Sequence, residues 1–533
     1  MRRTSSMCPP VMSVGDARAR GHGPRCSLVG NGVRGSMRRR RHAVTVTQGA
    51  ISRRGQPGLR RRTKIVATIG PASDAPATMR AMAAAGMDAA RVPLAHGSTA
   101  DAVERIQRIR ATVPDLGILA DLPGPKIRTS PFPDGGIGVL TGAVLSLVPG
   151  DGDGVSAAGR IGVPDAVLLS RLELGDRVAV GDGGVSLVVR DRSGEVVSAE
   201  VVSGGRLQGR PGISVPGKRI PVVSPTADDL ERLEVLVQHD VDAVAVSFVR
   251  SADDIDEVRG AAGKAPIMLV AKIETPEAVA DLDDIVAAAD AVMVARGDLG
   301  VRMPLEDVPH IQKRIIRTGV RYGRPVITAT QMLESMVTAS TPTRAEVTDV
   351  ANAVLDGTSA VMLSAETAVG ADPVGVVATM ARIAARAEQD FDYLGWGANL
   401  GTQQVAGGRA SPAGITAATT AAGWRAAIEE EAALIIACTR SGATARAISR
   451  FRPAMPLVAA TPSTRTARQL TLSWGVEALT VDESRSTDDI VWFAVQAAVR
   501  AGHAAPGDVV VVLAGSPTEP EPATDTLRLV RIH

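Results

Sequence analysis

An α/β architecture is what this sequence predicts: a (β/α)8 TIM barrel with an inserted all-β lid domain and a C-terminal α/β domain. Three observations predict it. Short apolar runs alternate with amphipathic stretches eight times between Thr63 and residue 390, the pattern of parallel strands joined by helical crossovers. The rhythm breaks once, over residues 131–219, where Gly, Val and Asp dominate and tight-turn signals replace helices. Polar and charged residues collect where the predicted strands end, the rim on which such barrels carry their chemistry.

Composition frames the rest. A chain of 533 residues exceeds one ordinary domain, and 45% hydrophobic content supplies large cores. Aromatic content is only 2%, so Val, Ala, Leu and Ile must fill those cores, and recognition of nucleic acid by base stacking is disfavoured. Net charge is +2, but residues 1–62 hold 15 Arg against the single acid Asp16, which makes that segment +14 and the remainder −12. A basic, Gly- and Ser-rich segment with RRRR at Arg38–Arg41 reads as a disordered N-terminal extension. It is either a solvated tail, with Met37 or a later codon as the start, or an anchor for nucleic acid or an acidic partner. Cys8 and Cys26 lie in it, which leaves Cys438 alone in the body. That usage excludes a disulfide framework and suits a cytoplasmic setting. No apolar run approaches the roughly 18 residues that cross a bilayer, and the extension lacks the apolar core of a secretory signal.

The elements follow in order. TKIVATIGP is a strand closed by a Gly-Pro turn, ATMRAMAAAGM a helix ended by Gly86, and DAARVPLAHG the second strand. ADAVERIQRIRATV is a helix, and GILADLPGPKIRT is the third strand, so the first barrel segment runs over residues 63–130. The lid follows over 131–219, with VAVGDGGVSLVVRDRSGEVVSAEVV as a β-meander. The barrel resumes over 220–390. TADDLERLEVLVQH is a helix with a Thr cap and acids in its first turn. VDAVAVSFV, PIMLVAKIE, AVMVARGD, RPVITATQM and TSAVMLSAET are strands four to eight. Eight units in about 240 residues outside the lid suit a closed barrel. Gly-rich residues 391–411 read as an aperiodic linker, and 412–533 as a smaller α/β domain with a mainly parallel sheet.

The predicted strand ends present Arg91 and His96, then Asp121 and Arg128, then Lys272 with Glu274, Asp298, Thr330, and Ser364 with Glu366. Any one of these could be a cap or a surface charge; the whole set converging by accident is improbable. The densest stretch is Pro266–Gly300, two buried-strand runs joined by a helical crossover, each ending in charge. Two carboxylates held close can grip Mg2+, and a lysine beside them can meet a transferring phosphate.

The strings TKIVATIGP, AKIE, MVARGDLG, ATQMLESM, TPTRAEVTDVANAVLDGTSAVMLS and GDVVVVLAG resemble those of the pyruvate kinase family, in its order, from Thr63 to His533. The resemblance implies a barrel, a lid inserted after the third strand and a C-terminal regulatory domain. It also implies Mg2+-dependent phosphoryl transfer from phosphoenolpyruvate to ADP, giving pyruvate and ATP. Mn2+ is the alternative metal, and a homotetramer is the usual assembly.

On that resemblance Glu274 and Asp298 are the metal ligands, and Lys272, Arg91 and Thr330 are catalytic. Arg91, Ala295, Gly297, Asp298, Thr330 and Ser364 contact substrate. The amides of a short helix starting in ARGDLG would hold the substrate carboxylate. His96 and Arg128 lie on the nucleotide side. A loop of Thr439, Arg440, Ser441, Gly442 and Thr444 would take the phosphate of a sugar-phosphate or nucleotide effector.

The departures are specific. Where the family reads Arg-Leu-Asn-Phe-Ser-His-Gly, Pro93 and Ala95 replace the Asn and Ser that ordinarily hold K+. Of four usual K+ ligands only Asp121 remains, and Lys126 stands where K+-dependent members have Glu, with Leu122 as in K+-independent ones. An ammonium can take the electrostatic place of a monovalent cation, so the expectation is activity without K+, with Lys126 and Asp121 forming the replacement. Pro211 replaces a lid lysine, with Arg210 as a stand-in, and Ala365 replaces a Gly. The competing reading is a catalytically weakened paralogue that binds phosphoenolpyruvate or pyruvate as a sensor or assembly partner. Neither membrane nor nucleic acid is an expected partner of the body.

Overall fold

The computed structural model describes residues 61–95, 97–150, 154–181, 184–216, 218, 223–403, 412–484, 486–516 and 523–533. Residues 1–60, which hold nearly all of the predicted basic extension, lie outside them, as does His96.

The eight apolar runs form a closed parallel barrel. Its strands are Lys64–Thr68, Ala89–Pro93, Gly117–Asp121, Ala243–Val246, Met268–Ile273, Ala291–Ala295, Val326–Ala329 and Ala360–Leu363. Each pairs with its sequence neighbour, and the eighth closes on the first with Lys64 opposite Ala360. The third and fourth strands pair directly, Leu119 opposite Ala243, so the lid leaves the ladder unbroken. Small and branched side chains such as Val66, Ala89, Leu119, Val270 and Met293 fill the barrel interior. A continuous apolar run is what a strand buried on both faces requires. The helices are set by local signals. Ser98, Thr226 and Thr343 each close a capping box with the acid three residues on.

The lid carries its own core, built from residues such as Leu147, Ile161, Val178, Leu187 and Val197. Strands Arg177–Val180, Val185–Ser193 and Val196–Ser203 form the antiparallel meander expected from the turn signals. The C-terminal sheet has four parallel strands, Val476–Thr480, Leu457–Thr461, Leu434–Cys438 and Val509–Ala514, and an antiparallel edge strand, Thr526–Arg531. Among the described residues no helix is long and apolar enough to cross a membrane.

One expectation needs correction and another, the helical crossover, gains detail. The stretch read as an aperiodic linker is helical over Tyr393–Gln403 and again from Pro412, and residues 404–411 are outside the described ones. Glycines disfavour a helix by about 1 kcal/mol each, but tertiary packing overrides them here. Phe391, Tyr393 and Trp396 cluster with one another and with Trp474, and the Arg452 guanidinium lies 5.0 Å over Phe391 and 4.7 Å over Trp474. The crossover after the fifth strand is two short helices, Pro276–Ala280 and Leu282–Ala288, broken at Asp281.

Candidate active site

The fifth strand delivers Lys272 and leads directly into Glu274 at the barrel's C-terminal rim. Lys272 is buried and threefold engaged. Its Nζ donates to Ser247 Oγ at 2.6 Å and lies 2.9 Å from Glu274 Oε1 and 3.2 Å from Asp121 Oδ1. Burial alone would lower its pKa. The carboxylates of Asp121, Glu274 and Asp298 together outweigh burial and raise it, so the ammonium stays charged.

Glu274 is fully buried. Its Oε2 accepts the Phe248 amide at 2.8 Å, whereas Oε1 faces Lys272 without hydrogen-bond geometry and has no hydrogen-bond partner. Burial pushes its pKa up and the Asp298 charge adds to that, against the pull of Lys272. That oxygen is compensated by the Lys272 ammonium at 2.9 Å alone, which leaves a lone pair open to a metal cation. Asp298 lies in the first turn of helix Arg296–Arg302, and its Oδ1 is 3.2 Å from Lys126 Nζ. Among the described residues no group of three or more His, Cys, Asp or Glu side chains could hold a metal. Two hard carboxylates, with the remaining positions left to substrate oxygens and water, match the way Mg2+ is usually bound.

On the facing strands, Asp121 accepts Arg91 Nε at 2.7 Å, and Arg91 Nη1 donates to Thr68 Oγ1 at 3.1 Å. Burial would raise the Asp121 pKa, but Lys272 and Arg91 lower it, so it stays ionised. Asp121 thus holds two cations, Lys272 and Arg91, on one wall.

Thr330 follows the seventh strand with φ 67°, and Gln331 with φ 53°. Such left-handed backbone is uncommon outside Gly and gathers at functional sites. Thr330 Oγ1 accepts the Gly297 amide at 2.8 Å, so that amide is already engaged. Arg296 clamps this loop: Nη2 donates to Thr330 O at 2.6 Å, Nε to Ala329 O at 3.2 Å, and Nη1 to Asp349 Oδ2 at 2.6 Å. Ala295 ends the sixth strand opposite Ala329 and is buried. The Ser364 amide donates to Glu366 Oε2 at 2.6 Å, and Glu366 Oε1 accepts the Leu333 amide at 3.1 Å. Glu366 therefore ties the seventh and eighth loops together and is fully buried.

A cleft of about 390 Å3 opens between this rim and the lid. Lys126 and Arg128 line its barrel side, and Arg206, Gln208 and Pro211 line its lid side. Arg210 is not among the lining residues; its carbonyl accepts Arg128 Nη1 at 3.0 Å. A Cβ added at Gly212 would sit 2.7 Å from Lys126 Cε, so the lysine stem passes close against this glycine.

Residues 60–377 match the family description "Pyruvate kinase, barrel domain", and residues 417–530 match "Pyruvate kinase, alpha/beta domain". The chain belongs to the pyruvate kinase family. A "Pyruvate kinase" of Methylorubrum extorquens is 41% identical over 480 residues, covering 88% of this chain and 97% of that one. One of Agrobacterium vitis is 41% identical over 475 residues, covering 88% and 98%. One of Geobacillus stearothermophilus is 38% identical over 485 residues, covering 89% and 80%.

The geometry of this pyruvate kinase family member brings Lys272, Glu274, Asp121 and Arg91 into one cluster, with Asp298 joined to Lys126 beside it. Ser247 escaped the sequence reading although it follows the fourth strand and bonds Lys272. Its signal was the one used elsewhere, a polar residue at a barrel-strand end. Arg296 is legible in the sequence as a charge that ends the sixth strand, but its role depends on a carbonyl cluster that no motif displays. In the C-terminal domain, Thr439 Oγ1 accepts the Gly442 amide at 2.9 Å and Thr444 pairs with Thr524 at 2.7 Å. Arg440 is exposed and 3.2 Å from Glu483 Oε1. Of the expected effector groups, the two threonine hydroxyls are therefore engaged within the protein.

Proposed function

We propose that this chain is a Mg2+-dependent pyruvate kinase, moving the phosphoryl group of phosphoenolpyruvate to ADP. The observation that carries this reading is the buried Lys272, held charged between Asp121, Glu274 and Ser247 at the barrel rim. A fixed ammonium in a site closed to water stabilises charge on a transferring phosphoryl group without reorganising. Arg91, oriented by Asp121 and Thr68, supplies a second cation to the same group.

Glu274 and Asp298 are the residues that would hold the metal. Bound there, Mg2+ or Mn2+ would act as a Lewis acid on phosphoryl and enolate oxygens. In the transfer, the bond from phosphorus to the enol oxygen breaks and one to a terminal ADP oxygen forms. The enolate left behind takes a proton at its methylene carbon, and we assign Thr330, whose carbonyl Arg296 clamps, to that proton's route. The substrate carboxylate is assigned to the start of helix Arg296–Arg302, beside Ala295, Gly297 and Ser364, and the Gly297 amide reaches it by leaving Thr330 Oγ1. The nucleotide occupies the lid cleft beside Arg128 and Lys126.

The Lys126–Asp298 pair supports activity without K+. The ammonium supplies the positive charge that Pro93, Ala95 and Asp121 alone would not secure as a K+ site. A cytoplasmic homotetramer, with effector phosphate reaching the Arg440–Ser441 loop, completes the proposal.

A lactate-dehydrogenase-coupled assay with purified protein, Mg2+ and ADP tests it. Turnover equal in Na+ and K+ buffers is expected. No turnover above background, with phosphoenolpyruvate still bound, would instead make the chain a sensor. Strong activation by K+ would remove the assigned role of Lys126.

A further inference from the structure

Far from the rim, at the seam between the barrel's base and the C-terminal domain, a small cavity of about 20 Å3 is ringed by Arg324, Arg446, Arg450 and Arg452. No Asp or Glu is among its lining residues. Ser473 and Trp474 close it from the loop before strand Val476–Thr480. Its donors are conspicuously unmatched. Arg324 Nε, Arg446 Nη1, Arg450 Nε and Nη2, Arg452 Nη1, Ser473 Oγ and Trp474 Nε1 are all buried atoms with no hydrogen-bond partner. Arg452 and Trp474 are each only 2% exposed.

The nearby carboxylates are committed elsewhere. Asp290 lies 3.2 Å from Arg259 and accepts the Leu269 amide at 3.0 Å. Glu388 accepts Thr63 Oγ1 at 2.6 Å and the Arg62 amide at 2.8 Å. Burial pulls the Arg446, Arg450 and Arg452 guanidinium pKa down to about 10 each, which reflects charge left uncompensated. The stacking of Arg452 on Phe391 and Trp474, and its 2.6 Å bond to Thr358 O, fix that guanidinium but leave Nη1 open.

Buried polar groups normally find partners, and unpaired buried charge is costly. Neutral water would meet the donors but not the charge. A compact guest that is negative and rich in acceptors meets both, and planar guanidinium forks suit oxyanions in particular.

We propose that this seam is an oxyanion site, taking a tetrahedral phosphate-type anion, either free or as the phosphoryl end of a small organic phosphate. Its occupant would bridge the barrel, through Arg324, to the C-terminal domain, through Arg446, Arg450 and Arg452.

The test uses the full chain without substrate. Crystals soaked in selenate are examined for anomalous scattering, and thermal unfolding is followed with phosphate or glycerol phosphate against a sulfonate buffer of equal ionic strength. Wild type is expected to show a selenate peak within hydrogen-bond distance of Arg446, Arg450 and Arg452, and a midpoint raised by roughly 3 °C in phosphate. The conservative-length variants Arg450→Met and Arg324→Met should each lose the peak and at least half of that shift. Anion binding at the catalytic rim would survive in both, which separates the two sites. A shift with phosphate alone assigns a free ion, and an equal shift with glycerol phosphate assigns a phosphoryl end. Should selenate appear only at the rim, or should both variants keep the full shift, the proposal is overturned. If either variant fails to fold, the wild-type anomalous map decides alone.

Discussion

In the proposed function one side chain, Lys126, redirects the chemistry of the rim beside Asp298. Lys126 Nζ lies 3.2 Å from Asp298 Oδ1, and glycine at 212 gives its stem room to pass. Replacing it by the acid common in K+-dependent relatives would set like charge beside Asp298. Pro93 and Ala95 still could not offer the oxygens that a cation needs. Lys126→Glu should therefore lose roughly 100-fold in kcat, the scale on which one preorganised electrostatic group acts, and K+ should recover little of it. Full rescue by K+ in the coupled assay would mean that other oxygens complete the site. Glu274 gives a second test at this scale. Its pKa is raised above the ordinary 4.5, chiefly by burial. The proton and a metal compete for the same carboxylate, so apparent Mg2+ affinity should fall by up to tenfold per pH unit once the pH drops below that raised value. Lys272, with its pKa raised, stays charged throughout and does not contribute. Without metal the sign reverses for stability. The contribution of the Glu274 proton is fully present below 4.5 and is lost as pH rises through the folded value. Mg2+ titrations carried down to pH 4.5 that give one constant throughout would contradict this assignment.

At the scale of elements, close approach between helix Val308–Tyr322 and the seventh strand sets a strict limit on size. A Cβ at Gly319 would overlap Val326 Cγ2, a stiff branched side chain in the strand that leads to Thr330. Gly319→Ala should cost about 1–3 kcal/mol by overpacking, despite the gain in helix propensity, and chemical denaturation would read it directly. A variant as stable as wild type would show that the helix can shift without penalty. The same physics explains what could be read in advance. Barrel strands such as Met268–Ile273 are buried on both faces, so they appear in sequence as continuous apolar runs. Lys272, Glu274, Asp121 and Asp298 were legible because a charge that ends such a run sits on the rim. The helix Tyr393–Gln403 was not legible, because its support is an aromatic and arginine cluster assembled from Phe391, Arg452 and Trp474, far apart in the chain. The seam arginines stayed hidden for the same reason. In sequence, SRFRP is only a charged helix end, and its unpaired donors exist only once the two domains meet.

For the whole molecule, a second junction holds the C-terminal domain to the barrel. Asp242 precedes the fourth strand and is only 2% exposed by side chain. It accepts Arg110 Nη2 at 2.7 Å, Arg468 Nε at 2.8 Å and the Ile118 amide at 2.9 Å. Asp240 beside it accepts Arg465 Nη2 at 2.9 Å and Arg468 Nη2 at 2.7 Å. The same C-terminal helix, Thr464–Gln469, donates Thr466 Oγ1 to Arg440 O at 2.6 Å, in the loop proposed to receive an effector. The fourth strand, Ala243–Val246, connects Asp242 to Ser247, which bonds Lys272. A two-state change at the Arg440 loop would therefore bear on the strand that leads to the partner of Lys272, the lysine proposed as catalytic. Asp242→Ala removes the shared acceptor and leaves Arg110 and Arg468 facing one another with only Asp240 to compensate. Loss of one partner from a buried pair costs about 3–5 kcal/mol. Because that loss falls on the junction, unfolding should split into two transitions, the C-terminal domain melting first, while the barrel retains phosphoenolpyruvate binding. Calorimetry on the full chain with and without phosphoenolpyruvate distinguishes this from uniform destabilisation. A single transition lowered as a whole would place the coupling in the apolar contact between the domains, and an unchanged one would show that the ion network carries none of it.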